Sequence, residues 1–415
     1  MPAVGTADTD SPLWRNRDYL MLWGGQVVST LGSTASTVVY PLLILALTDS
    51  PRAAGIAGAL RALPYLVLSL PVGALIDRWD RKRVMILSDI GRCMATLSIP
   101  VAMAFDALSL WLIYAATLVE GSLFVFFNIA EVAALPRVVP PHQLPQAAAQ
   151  NEAGFGAATI VGPSFGAFLY QSFGRGVPFI ADAISYTVSV VSLLGIRTPF
   201  RSERPAQRRE LRHEVAEGLR WLWGNRLIRY MALLTGGLNV VYAATPLVLI
   251  VLAKQLGAGD AEVGVIFSIA GIGGIAGSLV GGIIQRRFRF GQVIVGAVAL
   301  EALLLPLFAL VPSPLLLGAV AAGLAFVGPV YNVVQFSYRL SIIPDRLQGR
   351  VNSVFRLLAF GFMPIGAALS GFLIERLGVV PALLACWALV LALLAATAAN
   401  RSVRSAAPIG RDAAS

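Results

Sequence analysis

Charge is what this chain has least of. Of its 415 residues only 13% are Asp, Glu, Lys or Arg, against 57% hydrophobic, whereas soluble domains carry about 25% charged residues. That deficit, with a mean hydropathy of +0.75, excludes a water-soluble domain and points to an integral membrane protein. Cysteine and histidine are scarcer still, two of each. Cys93 and Cys386 fall inside apolar runs, and His142 and His213 stand alone. Neither a disulfide framework nor a metal site is expected from them. There is no Gly-x-x-x-x-Gly-Lys-Ser/Thr loop, so the chain encodes no nucleotide-driven pump, and neither a cofactor nor enzymatic chemistry is expected. No cleavage site of small residues follows a short apolar core near the start, so the N-terminus is expected to be uncleaved.

What the chain does have is arginine and long apolar runs. The formal net charge is +10, which raises the possibility of nucleic acid. A nucleic-acid-binding domain gathers its basic residues on one face. Here they lie in short clusters between apolar runs, as in loops on the cytoplasmic side of a membrane. No nucleic-acid partner is expected. At 1.5 Å per residue, about 20 apolar residues cross a bilayer core. By that measure spans fall near 19–47, 53–76, 84–105, 108–135, 146–171 and 177–196, then near 228–253, 262–285, 291–311, 314–340, 349–374 and 379–398. The fold class expected is therefore all-α, with twelve transmembrane helices in two six-helix halves, 1–196 and 228–415. Arg15, Arg17, Arg78, Arg81, Lys82, Arg83, Arg137, Arg286, Arg287 and Arg289 all fall on one side. That bias places both termini in the cytoplasm and the protein in the cytoplasmic (inner) membrane.

Between the halves lies the one long polar interval, 197–227. Its first part is basic and Pro-containing. Its second part sets Leu211, Val215, Leu219 and Leu222 at helical spacing, with Trp221 and Trp223 beside them. This is either a plain tether or a helix lying on the membrane surface. The halves also repeat weakly. Gly73, Asp77 and Arg78 correspond to Gly281, Gln285 and Arg286, and Phe168, Leu169 and Gly174 to Phe372, Leu373 and Gly378. Two six-span halves in parallel repeat are the build of one class of secondary transporter, with the substrate site between them.

The most charged short stretch, Gly73 to Arg83, packs six charges into residues 77–83. It resembles the signature between the second and third helices of the major facilitator superfamily, a glycine with an aspartate four residues on and then arginines. Gly162-Pro163-Ser164-Phe165-Gly166-Ala167 resembles the Gly-Pro-x-x-Gly-Gly motif of that family's antiporters, with Ala167 at the last glycine and Ala149 and Ala158 at its upstream glycines. The family's fourth-helix arginine is replaced by Thr117. Gln26-Val27-Val28-Ser29 with Gly32, Glu217-Gly218-Leu219-Arg220-Trp221 and Gly349-Arg350-Val351 resemble the exporter group that includes macrolide-efflux proteins and the enterobactin exporter.

The resemblance implies that Asp77 sits near the start of the eleventh helix. Gly73, Asp77, Arg81, Glu131 and Arg350 would then form a cytoplasmic gate, whose charge-assisted bonds break when the halves part. The bland alternative is a basic loop that only sets topology. The resemblance also implies that helices 1, 4, 7 and 10 line a central cavity. The lining candidates are then Gln26, Ser33, Tyr40, Phe124, Asn128, Asn239, Tyr242, Tyr331, Asn332 and Gln335. Gln26, Ser33 and Tyr40 fall on one helical stripe.

A charge near the middle of a span costs at least about 2.5–3.5 kcal/mol on insertion scales. Glu120 lies roughly 18 Å into the fourth span, near mid-membrane. Such a carboxyl can take a proton when unpaired and release it when a cation or substrate approaches. The alternative is a permanently paired structural glutamate. Glu301 and Asp182 are secondary acids, expected to make a structural hydrogen bond and to sit at an external mouth or on a helix dipole, respectively. Asp89 and Arg92, three apart, are expected to pair. Arg61 either joins them or faces the other half, and Glu152 and Arg356 occupy equivalent positions in the repeat. The function expected is a monomeric exporter of an amphipathic small molecule, moving it against protons by alternating access. Uptake by proton symport, and a non-transporting membrane sensor, are the alternatives.

Overall fold

The protein is described here by a computed structural model covering residues 12–76, 78–200, 211–344 and 347–406. Its helices are α1 (Arg17–Thr48), α2 (Pro51–Ile76), α3 (Arg81–Ala104), α4 (Leu110–Val138), α5 (Leu144–Phe173), α6 (Val177–Gly195), α7 (Leu211–Gly224) and α8 (Arg226–Gln255). The second set continues with α9 (Asp260–Arg287), α10 (Phe290–Leu304), α11 (Pro314–Ile342), α12 (Gln348–Gly361), α13 (Met363–Leu377), α14 (Val379–Ala399) and α15 (Arg401–Arg404). Among the described residues there are twelve helical spans long and apolar enough to cross a membrane. The bundle end carrying the start of α1, the helix α7 and the end of α14 is called proximal, and the opposite end distal.

Local chemistry sets the helix ends. Asn16 accepts from the Tyr19 amide, Asp80 from Lys82 and Arg83, Ser109 from Leu112, and Asn225 from Leu227 and Ile228. Each fills a donor that a helix start leaves open. Gly174 and Gly378 close α5 and α13 at φ of +102° and +92°, a backbone that side-chain-bearing residues avoid. These two glycines are the pair matched in the sequence repeat, so the repeat marks a shared bend. Two spans depart from the continuous helices expected. The ninth ends in a 3-10 turn, Leu305–Ala309. The eleventh is broken at Phe362 between α12 and α13, where Pro364 supplies no amide and its ring excludes a carbonyl one turn back.

In the first set α1 packs on α5 and α6, α2 on α4, and α3 on α4 and α6. In the second, α9 packs on α11, α8 on α12 and α13, and α10 on α11 and α14. The two sets meet through α2 with α12 and α13, and through α5 with α9. Backbone carries much of the distal junction. A Cβ added at Gly55 would lie 2.6 Å from the Ala367 carbonyl oxygen, and one at Gly371 would lie 2.5 Å from that of Pro51. Glu375 accepts from the Ser50 hydroxyl and, at 3.2 Å, from the Arg52 amide. Gln171 accepts from the Ala261 amide at 2.6 Å.

The glycine-rich α9 packs closely on two sides. Gly264 and Gly271 do meet α5, at Pro163 and Ile160. Gly273 and Gly277 instead meet the α11 backbone, where an added Cβ would stand 2.0 and 2.2 Å from the carbonyl oxygens of Ala322 and Phe326. The helix has small residues on two faces because it is squeezed on two sides.

Candidate functional site

The site is built from the first set of helices. Gly121 admits it: a Cβ there would lie 2.3 Å from the Arg61 carbonyl oxygen, so the α2 backbone rests directly on α4. That contact brings the Arg61 guanidinium to Glu120 Oε1 at 2.8 Å. Glu120 is a residue with 1% exposure. Its Oε2 is also buried and has no hydrogen-bond partner among the described residues.

Glu120 is one member of a larger array. The Tyr186 hydroxyl on α6 stands 3.4 Å from Glu120 Oε1 and 3.5 Å from Asp182 Oδ2. Asp182 accepts from Ser36 at 2.5 Å and from Ser185 at 3.3 Å. Arg92 donates to the Tyr186 and Ser33 hydroxyls, both at 3.0 Å, and to Asp89 at 3.2 Å. Its guanidinium also lies over the Tyr186 ring at 4.2 Å. Thus Asp89, Glu120, Asp182, Arg61 and Arg92 are joined directly or through one tyrosine, three carboxyls against two guanidiniums. With all five ionised the array carries one surplus negative charge, and one added proton cancels it. Tyr186 has one hydroxyl proton and two carboxyl acceptors within 3.5 Å, so its hydroxyl bridges them.

In front of this array, between the two sets of helices, lies a cavity of about 310 Å³. Arg61 is its one charged lining residue. Tyr40, Thr37, Tyr242 and Phe267 contribute polar edges and aromatic faces to a wall otherwise apolar. The Tyr40 hydroxyl is buried without a hydrogen-bond partner among the described residues, and Arg61 lies 5.8 Å from the centre of the Tyr40 ring. The Arg61 side chain is 27% exposed and Glu120 behind it 2%. A molecule in the cavity therefore meets Arg61, not Glu120.

Of the expected lining residues, Tyr40 and Tyr242 reach this cavity. Ser33 donates to the Ser29 carbonyl at 2.9 Å and belongs to the charged array. Gln26 lies beside Glu131. Phe124 is exposed 5.6 Å from Arg92, Asn128 is half-buried, and Asn332 is exposed. Asn239 donates to the Ala359 carbonyl at 2.7 Å. Tyr331 bonds Thr235 at 2.8 Å. Gln335 is buried with its side-chain nitrogen unpartnered. Asp182 is not at a mouth: it is 1% exposed and inside the array. Arg61, which the sequence left between two roles, joins Glu120, while Asp89 and Arg92 pair as expected. Glu301 makes no hydrogen bond or ion pair among the described residues, so the bond expected for it is not there. Glu152 is exposed, and Arg356 donates to the Tyr65 hydroxyl at 2.5 Å.

Asp77 lies outside the described residues. Gly73 has no atom within 4 Å of an added Cβ, so in this arrangement it mediates no close helix approach. Arg81 donates to the Ala133 carbonyl at 2.9 Å, and Lys82 to that of Ile196 at 2.7 Å, tying the loop to the proximal ends of α4 and α6. Arg350 pairs with Glu217 of α7. The antiporter-like motif packs two ways. An added Cβ at Gly162 or Gly166 would strike α1 at Thr34 and Ala35, while Pro163 and Ala167 receive Gly264 of α9. Sequence reasoning missed Tyr186, Ser36 and Ser185. Tyr186 is one helical turn after Asp182, which was the available signal.

The chain belongs to the Major Facilitator Superfamily, whose profile matches residues 22–367. It is 26% identical over 374 residues to the multidrug efflux pump Tap of Mycolicibacterium fortuitum, covering 86% of this chain and 90% of that protein. To macrolide efflux protein A of Streptococcus pyogenes it is 25% identical, covering 88% and 91%. To the enterobactin exporter EntS of Shigella boydii it is 26% identical, covering 80% of each. Among solved structures, nucleoside transporter NupG superposes with a TM-score of 0.73 at 14% identity, over 92% of this chain and 98% of that one. A bacterial homologue of the lysosomal transporter Spinster, in an inward-facing and unoccupied conformation, superposes with a TM-score of 0.68 at 16% identity, over 94% and 95%. The fold is that of a multi-pass membrane transporter.

Proposed function

We propose that the protein is a secondary exporter that moves an amphipathic small molecule out of the cytoplasm in exchange for protons, as a monomer in the cytoplasmic membrane. The proximal end, with both termini, faces the cytoplasm. The observation that carries this reading is the surplus carboxyl of the array, placed behind the cavity between the two sets of helices. An array with three acids and two bases can take one proton without leaving a net charge buried, and it gives the proton up at the cost of one unbalanced negative charge.

Alternating access would expose the array to one side at a time. A proton arriving from outside neutralises Glu120 or Asp182, with Tyr186 passing it between them. When Glu120 is neutral its hold on Arg61 weakens, and Arg61 turns its charge toward the cavity. The cavity then favours a different occupant from the one it held, which is the minimum for exchange. The apolar wall with a few polar edges suits a drug-like, macrolide-like or siderophore-like molecule. Efflux is supported by the three relatives, all exporters or efflux pumps. Gly73, Asp77, Arg81, Glu131 and Arg350 remain the candidate proximal gate.

The test is proton movement in sealed vesicles carrying the purified protein, with an ethidium or macrolide gradient imposed. The wild type is expected to acidify or alkalise the lumen in step with flux. Glu120→Gln and Asp182→Asn are expected to lose that coupling. Proton movement unaltered in both variants would remove the array from the mechanism.

A further inference from the structure

Two motifs that the central cavity leaves unexplained, Glu217-Gly218 before the seventh span and Gly349-Arg350 opening the eleventh, dock on each other. Glu217 of α7 pairs with Arg350 at the start of α12. Gly218, beside it, lies against the Arg350 backbone, where an added Cβ would stand 2.7 Å from the carbonyl oxygen. An ion pair with a close backbone contact makes α7 and the proximal part of the eleventh span one mechanical unit. At its other end α7 is held by Arg229 of α8, which donates to the Trp223 carbonyl at 3.1 Å.

The two faces of α7 differ in an informative way. Gly218 and Leu222 are buried and Val215 partly so, forming the face toward the protein. Leu219 and Trp223, one turn apart, are exposed at 41% and 48%, and Arg220 between them is exposed, as is Arg226 just beyond. Large apolar side chains interleaved with arginine, on a short helix one residue before a membrane span, match the boundary between headgroups and acyl chains. Trp favours that depth with its ring in the apolar layer and its indole N–H among headgroups. Arginines there draw anionic headgroups.

We propose that α7 is an anionic-lipid-reading arm. Leu219 and Trp223 seat in the proximal leaflet, Arg220 and Arg226 bind phospholipid headgroups of negative charge, and the Glu217–Arg350 clamp passes the arm's position to α12. Because α12 packs on both α2 and α8, displacing it shifts the junction of the two halves. Lipid composition thereby sets how readily the proximal end opens.

The test uses the full-length protein in nanodiscs of phosphatidylcholine, with or without phosphatidylglycerol. Two readouts need no transported substrate. The first is quenching of Trp223 by brominated lipid, taken as the difference between the wild type and Trp223→Phe. The second is the maleimide labelling rate of Ser353→Cys on α12, one turn beyond Arg350, corrected for the parent protein with Cys93 and Cys386. Brominated phosphatidylglycerol is expected to quench Trp223 in preference to brominated phosphatidylcholine. Arg220→Gln should reduce that preference roughly fivefold, the equivalent of about 1 kcal/mol for one arginine at an anionic surface. Labelling at position 353 should change with phosphatidylglycerol. In Glu217→Gln that dependence should vanish while Trp223 is still quenched. Quenching without headgroup preference, or labelling equal in both lipids, overturns the proposal. Neither result bears on proton exchange, so the proposal and the exporter reading can fail separately.

Discussion

Glu120 and Arg61 decide what the rest of the array can do. The pair is asymmetric, with the acid enclosed and the base reaching the cavity, so the two single changes have different consequences. Arg61→Ala leaves a carboxylate with no counter-ion at mid-membrane, and removing one member of such a pair costs on the order of 3 kcal/mol. Thermal unfolding in detergent should show that loss, and the double change Arg61→Met with Glu120→Gln should recover most of it, because no charge is then stranded. Gly121→Val tests the same pair from behind. A side chain there meets the Arg61 backbone and should move the guanidinium off Glu120, reproducing the coupling defect of Glu120→Gln while both charged residues remain. Glu120 was legible in the sequence because a charge at mid-span is rare and costly. Its partner was not, since Arg61 comes from another helix and nothing along the chain states which helices touch. Asp182 was read at the wrong place for a related reason. Its depth was counted from the end of its own helix, while its surroundings are made by α1 and α4.

At the scale of helices, the distal junction rests on glycine against backbone. Gly55 and Gly371 have no room for a side chain, and a bulky one must hold α2 and α13 apart. Gly371→Leu is accordingly expected to prevent distal closure. A cysteine at Ser370, which lines the cavity, should then react with a membrane-impermeant maleimide from the distal side, and turnover should fall by an order of magnitude or more. Equal labelling in Gly371→Leu and its parent would show that the junction closes by other contacts. The spans themselves were readable from hydropathy, which depends on length and composition alone. Their breaks were less so. Pro364 follows the break at Phe362, whereas Pro41 sits inside a continuous α1, so a proline in the sequence does not by itself mark where a span breaks. Gly264 and Gly273 of α9 meet different helices, α5 and α11, because glycine allows a close approach without naming what approaches.

For the molecule as a whole, the superfamily resemblance in Gly73–Arg83 and Gly162–Ala167 holds, and twelve spans follow it. Thr117 stands where the family's fourth-helix arginine is expected, and Arg61 of α2 lines the same cavity. The cavity takes two of the ten lining candidates, Tyr40 and Tyr242, while Ser33, Asn239 and Tyr331 are engaged with neighbouring groups. The three-acid, two-base array is proposed to exchange one proton for the cavity's occupant. Its most direct measurement is efflux of ethidium from vesicles of the purified protein under an imposed pH gradient, with Glu120→Gln, Asp182→Asn and the wild type compared at equal reconstitution. Gradient-driven efflux is expected in the wild type and its loss in Glu120→Gln, with thermal stability retained. Gradient-driven efflux at the wild-type rate in both variants would contradict it.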